Sequence, residues 1–127
     1  METRKDISNR QDIDVFINHF YEKVVQDDTI GKIFTEVVEM NWETHIPLIV
    51  DFWETILLDN PVYKNNAMEV HYHVNKLFPL EEKHFKAWLH LFNTTLDKYY
   101  AGPVTELARK RAAGIAAVME FKMKNDQ

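Results

Sequence analysis

The feature that most constrains this chain is the spacing of its apolar residues, which recur every three or four positions along most of its length. This period matches an α-helix that buries one face, whereas a half-buried strand would alternate every two residues. We therefore predict an all-α protein. A chain of 127 residues can form one domain with its own core, so we expect a single domain over residues 1–127.

Two long helices are predicted in the first half of the chain. The first follows Ser8, which with Gln11 resembles a capping box, and it extends to about Val25. The second begins at or just before His45. Proline lacks the N–H that a helix interior uses, so Pro47 is expected in the first turn of this helix.

Two more long helices are predicted in the second half. The third begins near Pro79 and stops at the Gly102-Pro103 break. The fourth presents an apolar face from Val104 to Phe121 and precedes a polar tail. Such helices can form an up-down bundle or a stack of crossing pairs. The irregular stretch over residues 59–79 favours crossing pairs that enclose a ligand pocket.

Composition excludes several classes of site. With no cysteine, the chain has no disulfide, iron–sulfur cluster, thiolate zinc site or thiolate-ligated haem. Its three glycines are too far apart for a nucleotide-binding loop. Its single serine, Ser8, lies in the polar N-terminal segment, which argues against a Ser–His–Asp hydrolase. The formal charge of −5 argues against a nucleic-acid partner. The polar start and short apolar runs predict a cytoplasmic protein with no membrane span.

Four residues have the chemistry of a gas-binding iron site. A histidine such as His71 can ligate haem iron through one ring nitrogen. The hydroxyl of Tyr21, the indole N–H of Trp88 and the imidazole of His45 can each donate a hydrogen bond to a ligand on the other face. Each residue also has an ordinary structural interpretation, because Trp, Tyr and His often pack at the edge of a helical core.

Five segments, in this order, carry a family resemblance. They are FYEKV at 20–24, NWETH at 41–45, DFW at 51–53, VH at 70–71 and HFKAWLHLF at 84–92. Together they resemble a group III truncated haemoglobin across nearly the whole chain. The resemblance implies a two-over-two helical sandwich, a truncated-globin fold, around a non-covalently held haem b.

The same resemblance implies roles for particular residues. His71 would be the proximal ligand of the haem iron. The distal, ligand-binding side would comprise Phe20, Tyr21, His45 and Trp88. Cofactor contacts would come from Phe34, Ile49, Trp53, His71 and Trp88. His73 is the rival proximal histidine, but the family pattern does not need a histidine at that position.

Two other metal sites are weaker alternatives. Glu81 and His84 have the i, i+3 spacing of di-iron carboxylate bundles, but no second Glu-x-x-His sequence accompanies them. His71 and His73 lack a third zinc ligand at a suggestive spacing.

Three functions remain open at this point. The first is reversible binding of dioxygen, nitric oxide or carbon monoxide at a histidine-ligated iron with a polar distal pocket. The second is an enzyme that detoxifies nitric oxide or peroxide, a nitric oxide dioxygenase or peroxidase-like activity, with electrons from an external reductase. The third is a cofactor-free helical interaction domain.

Overall fold

A computed structural model gives the fold of the protein and describes residues 4–33, 42–62 and 80–126. Within these ranges the chain forms four long helices and no strand. They are α1 (Arg10–Gln26), α2 (Trp42–Leu57), α3 (Glu82–Tyr99) and α4 (Pro103–Asp126). The predicted all-α class is confirmed. No helix in the described ranges has an apolar stretch long enough to cross a membrane.

The N-cap of helix α1 lies one residue after the predicted one. Asn9 is the N-cap, and its side chain accepts a hydrogen bond from the backbone N–H of Asp12 at 2.9 Å. Ser8 instead donates its own N–H and hydroxyl to the Asp12 carboxylate. The predicted Ser8–Gln11 capping box is therefore wrong, although the predicted apolar face is buried. That face comprises Ile13, Phe16, Ile17, Phe20 and Val24.

Helix α2 begins at Trp42, three residues before the position expected from the sequence. Pro47 consequently lies in the second turn, and its predicted place in the first turn is wrong. Because proline has no N–H, the carbonyl of Glu43 lacks its usual donor four residues later. His45 lies within the helix, and its side chain is partly buried.

The boundaries of α3 and α4 also differ from the predicted ones. Helix α3 begins at Glu82 with Glu81 as its N-cap, and Pro79 lies outside the described residues. Helix α4 begins with Pro103, where a missing N–H costs nothing, and it continues into the predicted polar tail as far as Asp126.

The buried face of α4 is narrower than its sequence suggests. Val118 and Phe121 belong to the predicted apolar face, yet their exposed fractions are 50% and 69%. The residues that are buried are mostly small or flexible: Ala108, Ala112, Ala116, Met119 and Met123. Alanines allow two helix backbones to approach closely, so α4 lies against α3 on this side and turns Phe121 outward.

Helix α1 packs against both α2 and α3, and α3 packs against α4. Between α1 and α2, the guanidinium of Arg10 donates to the carboxylates of Asp51 at 2.6 Å and Glu54 at 2.8 Å. The segment just before α1 also contacts the residues that precede α4. There the backbone N–H of Ala101 donates to the carbonyl of Lys5 at 3.0 Å.

A buried hydroxyl joins α1 to the end of α3. Tyr100 is 5% exposed and donates its hydroxyl to the carbonyl of Asp12 at 3.0 Å. We expect Tyr100→Phe to lower the free energy of unfolding by about 1 kcal/mol, the net value of one such hydrogen bond. Urea unfolding should show a lower midpoint with an unchanged slope. The partly exposed Tyr99 provides the control, and an equal loss in Tyr99→Phe would contradict this interpretation.

Candidate functional site

The candidate site is built around an aromatic cluster at the crossing of α1, α2 and α3. Phe92 is fully buried at its centre. The centroid of its ring lies 5.4 Å from the ring centroid of Phe20 on α1, 5.0 Å from that of Trp53 on α2 and 5.3 Å from that of Trp88 on its own helix. Phe16 adds an edge-on contact at 4.9 Å. These contacts hold three helices in a fixed relative position.

Tyr21 and Trp88 meet at the edge of this cluster. Phe20 contacts both of them, with ring centroids 4.7 Å from Tyr21 and 5.7 Å from Trp88. The indole N–H of Trp88 donates to the hydroxyl of Tyr21. The pair therefore joins α1 to α3 through a polar contact with an apolar surround.

The Tyr21 hydroxyl stays protonated at neutral pH. Burial raises the pKa of Tyr21 to about 12, and the hydrogen bond from Trp88 offsets part of that rise. As a residue Tyr21 is only partly buried, so the desolvation acts chiefly at its hydroxyl end. An oxygen that accepts from an indole and keeps its own proton is also a donor.

Helix α2 lies beside the aromatic cluster and contributes one side of the candidate site. His45, Ile49 and Trp53 occur at four-residue intervals, which places them along one face of the helix. Trp53 is 4% exposed, whereas His45 and Ile49 are partly buried. Ile49 packs against the same core as the aromatic cluster.

The structure thus brings together most of the residues singled out in the sequence. Phe20, Tyr21, Trp53 and Trp88 are linked directly or through Phe92, and Ile49 lies against the same core. Three residues lie outside the described ranges: Phe34, His71 and His73.

The sequence predicts that Phe92 lies in the third long helix but does not reveal its central position. The signal in the sequence was its spacing, since Phe92 lies one turn after Trp88 and stacks on it. That spacing identifies neighbours within one helix. It carries no information about the rings that α1 and α2 would bring to the other side.

The di-iron alternative receives no support. The imidazole Nδ1 of His84 accepts a hydrogen bond from the backbone N–H of Glu81 at 2.8 Å, so the Glu81–His84 spacing closes a helix end. Among the residues that the structure describes, no group of three or more His, Asp or Glu side chains is arranged to hold a metal ion. The His71–His73 zinc alternative lies outside those residues.

A donor pair enclosed by aromatic rings suits a small polar ligand better than a bare cation. The indole N–H of Trp88 is directed at the Tyr21 oxygen, which leaves the hydroxyl hydrogen of Tyr21 to attract partial negative charge and repel a metal ion. The apolar surround lowers the local dielectric and strengthens such contacts. This donor chemistry fits the distal side of a haem pocket.

Comparison with known proteins points to one family. The Group 3 truncated hemoglobin ctb of Campylobacter jejuni is 30% identical over 112 residues, which cover 86% of this chain and 86% of that protein. The crystal structure of a group III truncated hemoglobin from Campylobacter jejuni superimposes with a TM-score of 0.81 and 27% identity, covering 95% of both chains.

No model of a known protein family matches the chain. The structural likeness nevertheless confirms the predicted truncated-globin fold over an up-down bundle. The identity and coverage of the curated relative confirm the family predicted from the sequence segments. The chain belongs to the group III truncated haemoglobins.

Proposed function

We propose that this protein binds haem b and reversibly binds dioxygen and other diatomic gases, including nitric oxide and carbon monoxide, at the haem iron. The observation that carries the proposal is the hydrogen-bonded Tyr21–Trp88 pair beside the aromatic cluster. The two proteins that this chain resembles are named as haemoglobins, which supports haem as its cofactor.

The bound haem would supply the iron at which the gas ligand binds. We assign His71 as the proximal ligand. Phe20, Tyr21, His45 and Trp88 form the distal side in this proposal, and the cofactor is contacted by Phe34, Ile49, Trp53 and Trp88.

Each described side chain has a distinct task in this proposal. Tyr21 would donate a hydrogen bond from its hydroxyl to the gas ligand, because the hydroxyl keeps its proton at neutral pH. Trp88 donates to the Tyr21 oxygen and so fixes the direction of the hydroxyl. Trp53 and Phe92 exclude water, which strengthens the donor contacts.

The same donors favour slow release of dioxygen, because a hydrogen bond to a partly charged ligand must break before the ligand leaves. Slow release suits storage, sensing or chemistry better than transport. A redox enzyme that consumes nitric oxide or peroxide is therefore the second candidate, since a protonated Tyr21 can also polarise an O–O bond. It would depend on an external reductase.

Absorption spectroscopy tests the proposed haem and its ligand. The reduced protein should show a Soret band that shifts under carbon monoxide. We expect His71→Ala to lose or alter this band and His73→Ala to retain it. The opposite pattern would reassign the proximal ligand to His73. A protein that folds fully and takes up no haem would contradict the proposal and favour an interaction domain.

Steady-state turnover separates the two haem functions. A gas-binding protein returns dioxygen unchanged, whereas the enzyme consumes nitric oxide or peroxide as reductant is supplied. Absence of turnover with a range of reductants and reductases would contradict the enzyme.

A further inference from the structure

The N-terminus of α3 is closed by an unusual capping box in which a histidine occupies the position normally held by Glu or Gln. The Nδ1 atom of His84 accepts the backbone N–H of Glu81 at 2.8 Å, and the backbone N–H of His84 donates to the carbonyl of Glu81 at 2.9 Å. His84 is 5% exposed. The first turn of α3 is thus held by a buried imidazole.

This contact requires the neutral form of His84. A ring nitrogen accepts a hydrogen bond only through its lone pair, and an imidazolium ion has none to offer. If Nδ1 were protonated, its N–H and the N–H of Glu81 would be two donors facing each other, and the hydrogen bond would be lost. Positive charge at a helix N-terminus is also opposed by the helix dipole.

The charges around His84 act in both directions. Burial is the main reason that the pKa of His84 lies below its ordinary value of 6.5, and the charge of Lys83 lowers it further. The carboxylate of Glu81 raises it. From α4, Glu120 faces Lys86 and Lys124 faces Glu82, so both act on neighbouring residues of α3.

His84 is one turn away from the candidate site. His84, Trp88 and Phe92 follow at four-residue intervals along α3 and share one face of the helix. Phe92 is held firmly by rings from α1 and α2. Trp88 lies between this fixed point and the capped first turn, so its position depends on whether that turn is formed.

We propose that neutral His84 is a positioning residue for Trp88, holding the first turn of α3 so that the indole N–H reaches the Tyr21 hydroxyl, and that protonation of His84 releases this turn. The consequence for gas release rests on the proposed function of the Tyr21–Trp88 pair. The positioning itself does not, and the two are measured separately.

The chain offers well-matched variants. Glutamine is an ordinary third residue of a capping box and accepts the same N–H at every pH, so His84→Gln keeps the cap and removes the titration. His90 is exposed on the same helix, and His90→Gln controls for the loss of a histidine elsewhere on α3.

The test uses the ¹⁵N-labelled protein, with or without bound haem, followed by NMR between pH 8 and pH 5. We expect the indole N–H resonance of Trp88, assigned with Trp88→Phe, to shift with a midpoint below pH 6.5 in the parent and in His90→Gln. In His84→Gln it should keep its high-pH position throughout. No shift in the parent, or the same shift in His84→Gln, would overturn the proposal.

Amide hydrogen exchange provides a measurement that needs no variant. The N–H of Glu81 should lose protection as pH falls through the same midpoint, after correction for intrinsic exchange rates. Constant protection over this range would also overturn the proposal.

The rate of dioxygen release then tests the link to function. We expect release to accelerate below the midpoint in the parent and in His90→Gln, and to stay constant in His84→Gln. An indole shift with no change in release would support the positioning role and contradict the distal assignment of Trp88.

Discussion

Tyr21→Phe is expected to accelerate dioxygen release by about 10- to 150-fold. The substitution keeps the ring and its contact with Phe20 but removes the hydroxyl that we propose donates to the ligand. A hydrogen bond to a charged partner contributes about 1.5–3 kcal/mol, which corresponds to that range of rates when the donor acts only on the bound state. Stopped-flow replacement of dioxygen by carbon monoxide measures the rate.

Trp88→Phe should also accelerate release. The indole N–H orients the Tyr21 hydroxyl, so its removal leaves the donor in place without its support. Because both residues belong to one hydrogen-bonded network, the effects of the two substitutions should not add. The double variant is expected to release dioxygen more slowly than the product of the single effects predicts.

Tyr100→Phe is the matched control for Tyr21→Phe. It also removes one buried phenol hydroxyl, but that hydroxyl is bonded to the carbonyl of Asp12. We expect lower stability and an unchanged rate of release. If both Tyr21→Phe and Trp88→Phe released dioxygen at the parental rate, the distal assignment would be wrong.

The Tyr21–Trp88 pair also shows what the sequence reveals about this site. Helical periodicity placed Trp88 in register with the apolar face of its helix and Tyr21 beside the apolar face of α1, and both residues are partly buried. The family resemblance assigned both to the distal side. Neither predicts that the indole donates to the phenol. The direction follows from chemistry, because an indole N–H can only donate. Whether the two groups meet depends on how α1 crosses α3, where Phe20 packs against Phe92.

The errors in the sequence predictions have local physical causes. Ser8 and Asn9 are both good N-cap residues, and the choice was decided by the Asp12 carboxylate, which engages Ser8. Phe121 has the correct spacing for a buried face, but the alanines of α4 bring a different face against α3. Periodicity identifies apolar stripes and does not show which stripe has a partner.

Asp6→Ala is expected to lower the free energy of unfolding by about 2–3 kcal/mol, because it removes the cap of α4 and leaves buried donors without an acceptor. The Asp6 carboxylate accepts the N–H of Val104 at 2.9 Å, and both the N–H and the hydroxyl of Thr105 at 2.8 and 2.7 Å. Thr105 is fully buried. Urea unfolding at neutral pH measures the loss.

The same carboxylate gives the effect a defined pH dependence. Burial raises the pKa of Asp6, but the combined hydrogen bonds from Val104, Thr105 and Ile7 outweigh it and bring the pKa below 3.8. A lowered pKa in the folded state means that the stabilisation is present above pH 3.8 and is lost as pH falls through the folded value. The difference in free energy of unfolding between the parent and Asp6→Ala should therefore shrink as pH falls below 3.8. A difference that stays constant with pH would contradict the role of the Asp6 carboxylate as the cap of α4.

Gly102→Ala should destabilise the protein through the same contact, by about 2–4 kcal/mol, because it combines a strained backbone with a displaced cap. Gly102 has a φ of 142°, and an added Cβ would lie 2.5 Å from Cγ of Asp6. Gly114→Ala is the control: nothing lies within 4 Å of its added Cβ, and alanine favours a helix interior by about 0.5–1 kcal/mol. If Gly102→Ala lowers the free energy of unfolding and Gly114→Ala raises it, the absence of a side chain at Gly102 is what leaves room for Asp6 at the start of α4. A stabilising Gly102→Ala would refute that role.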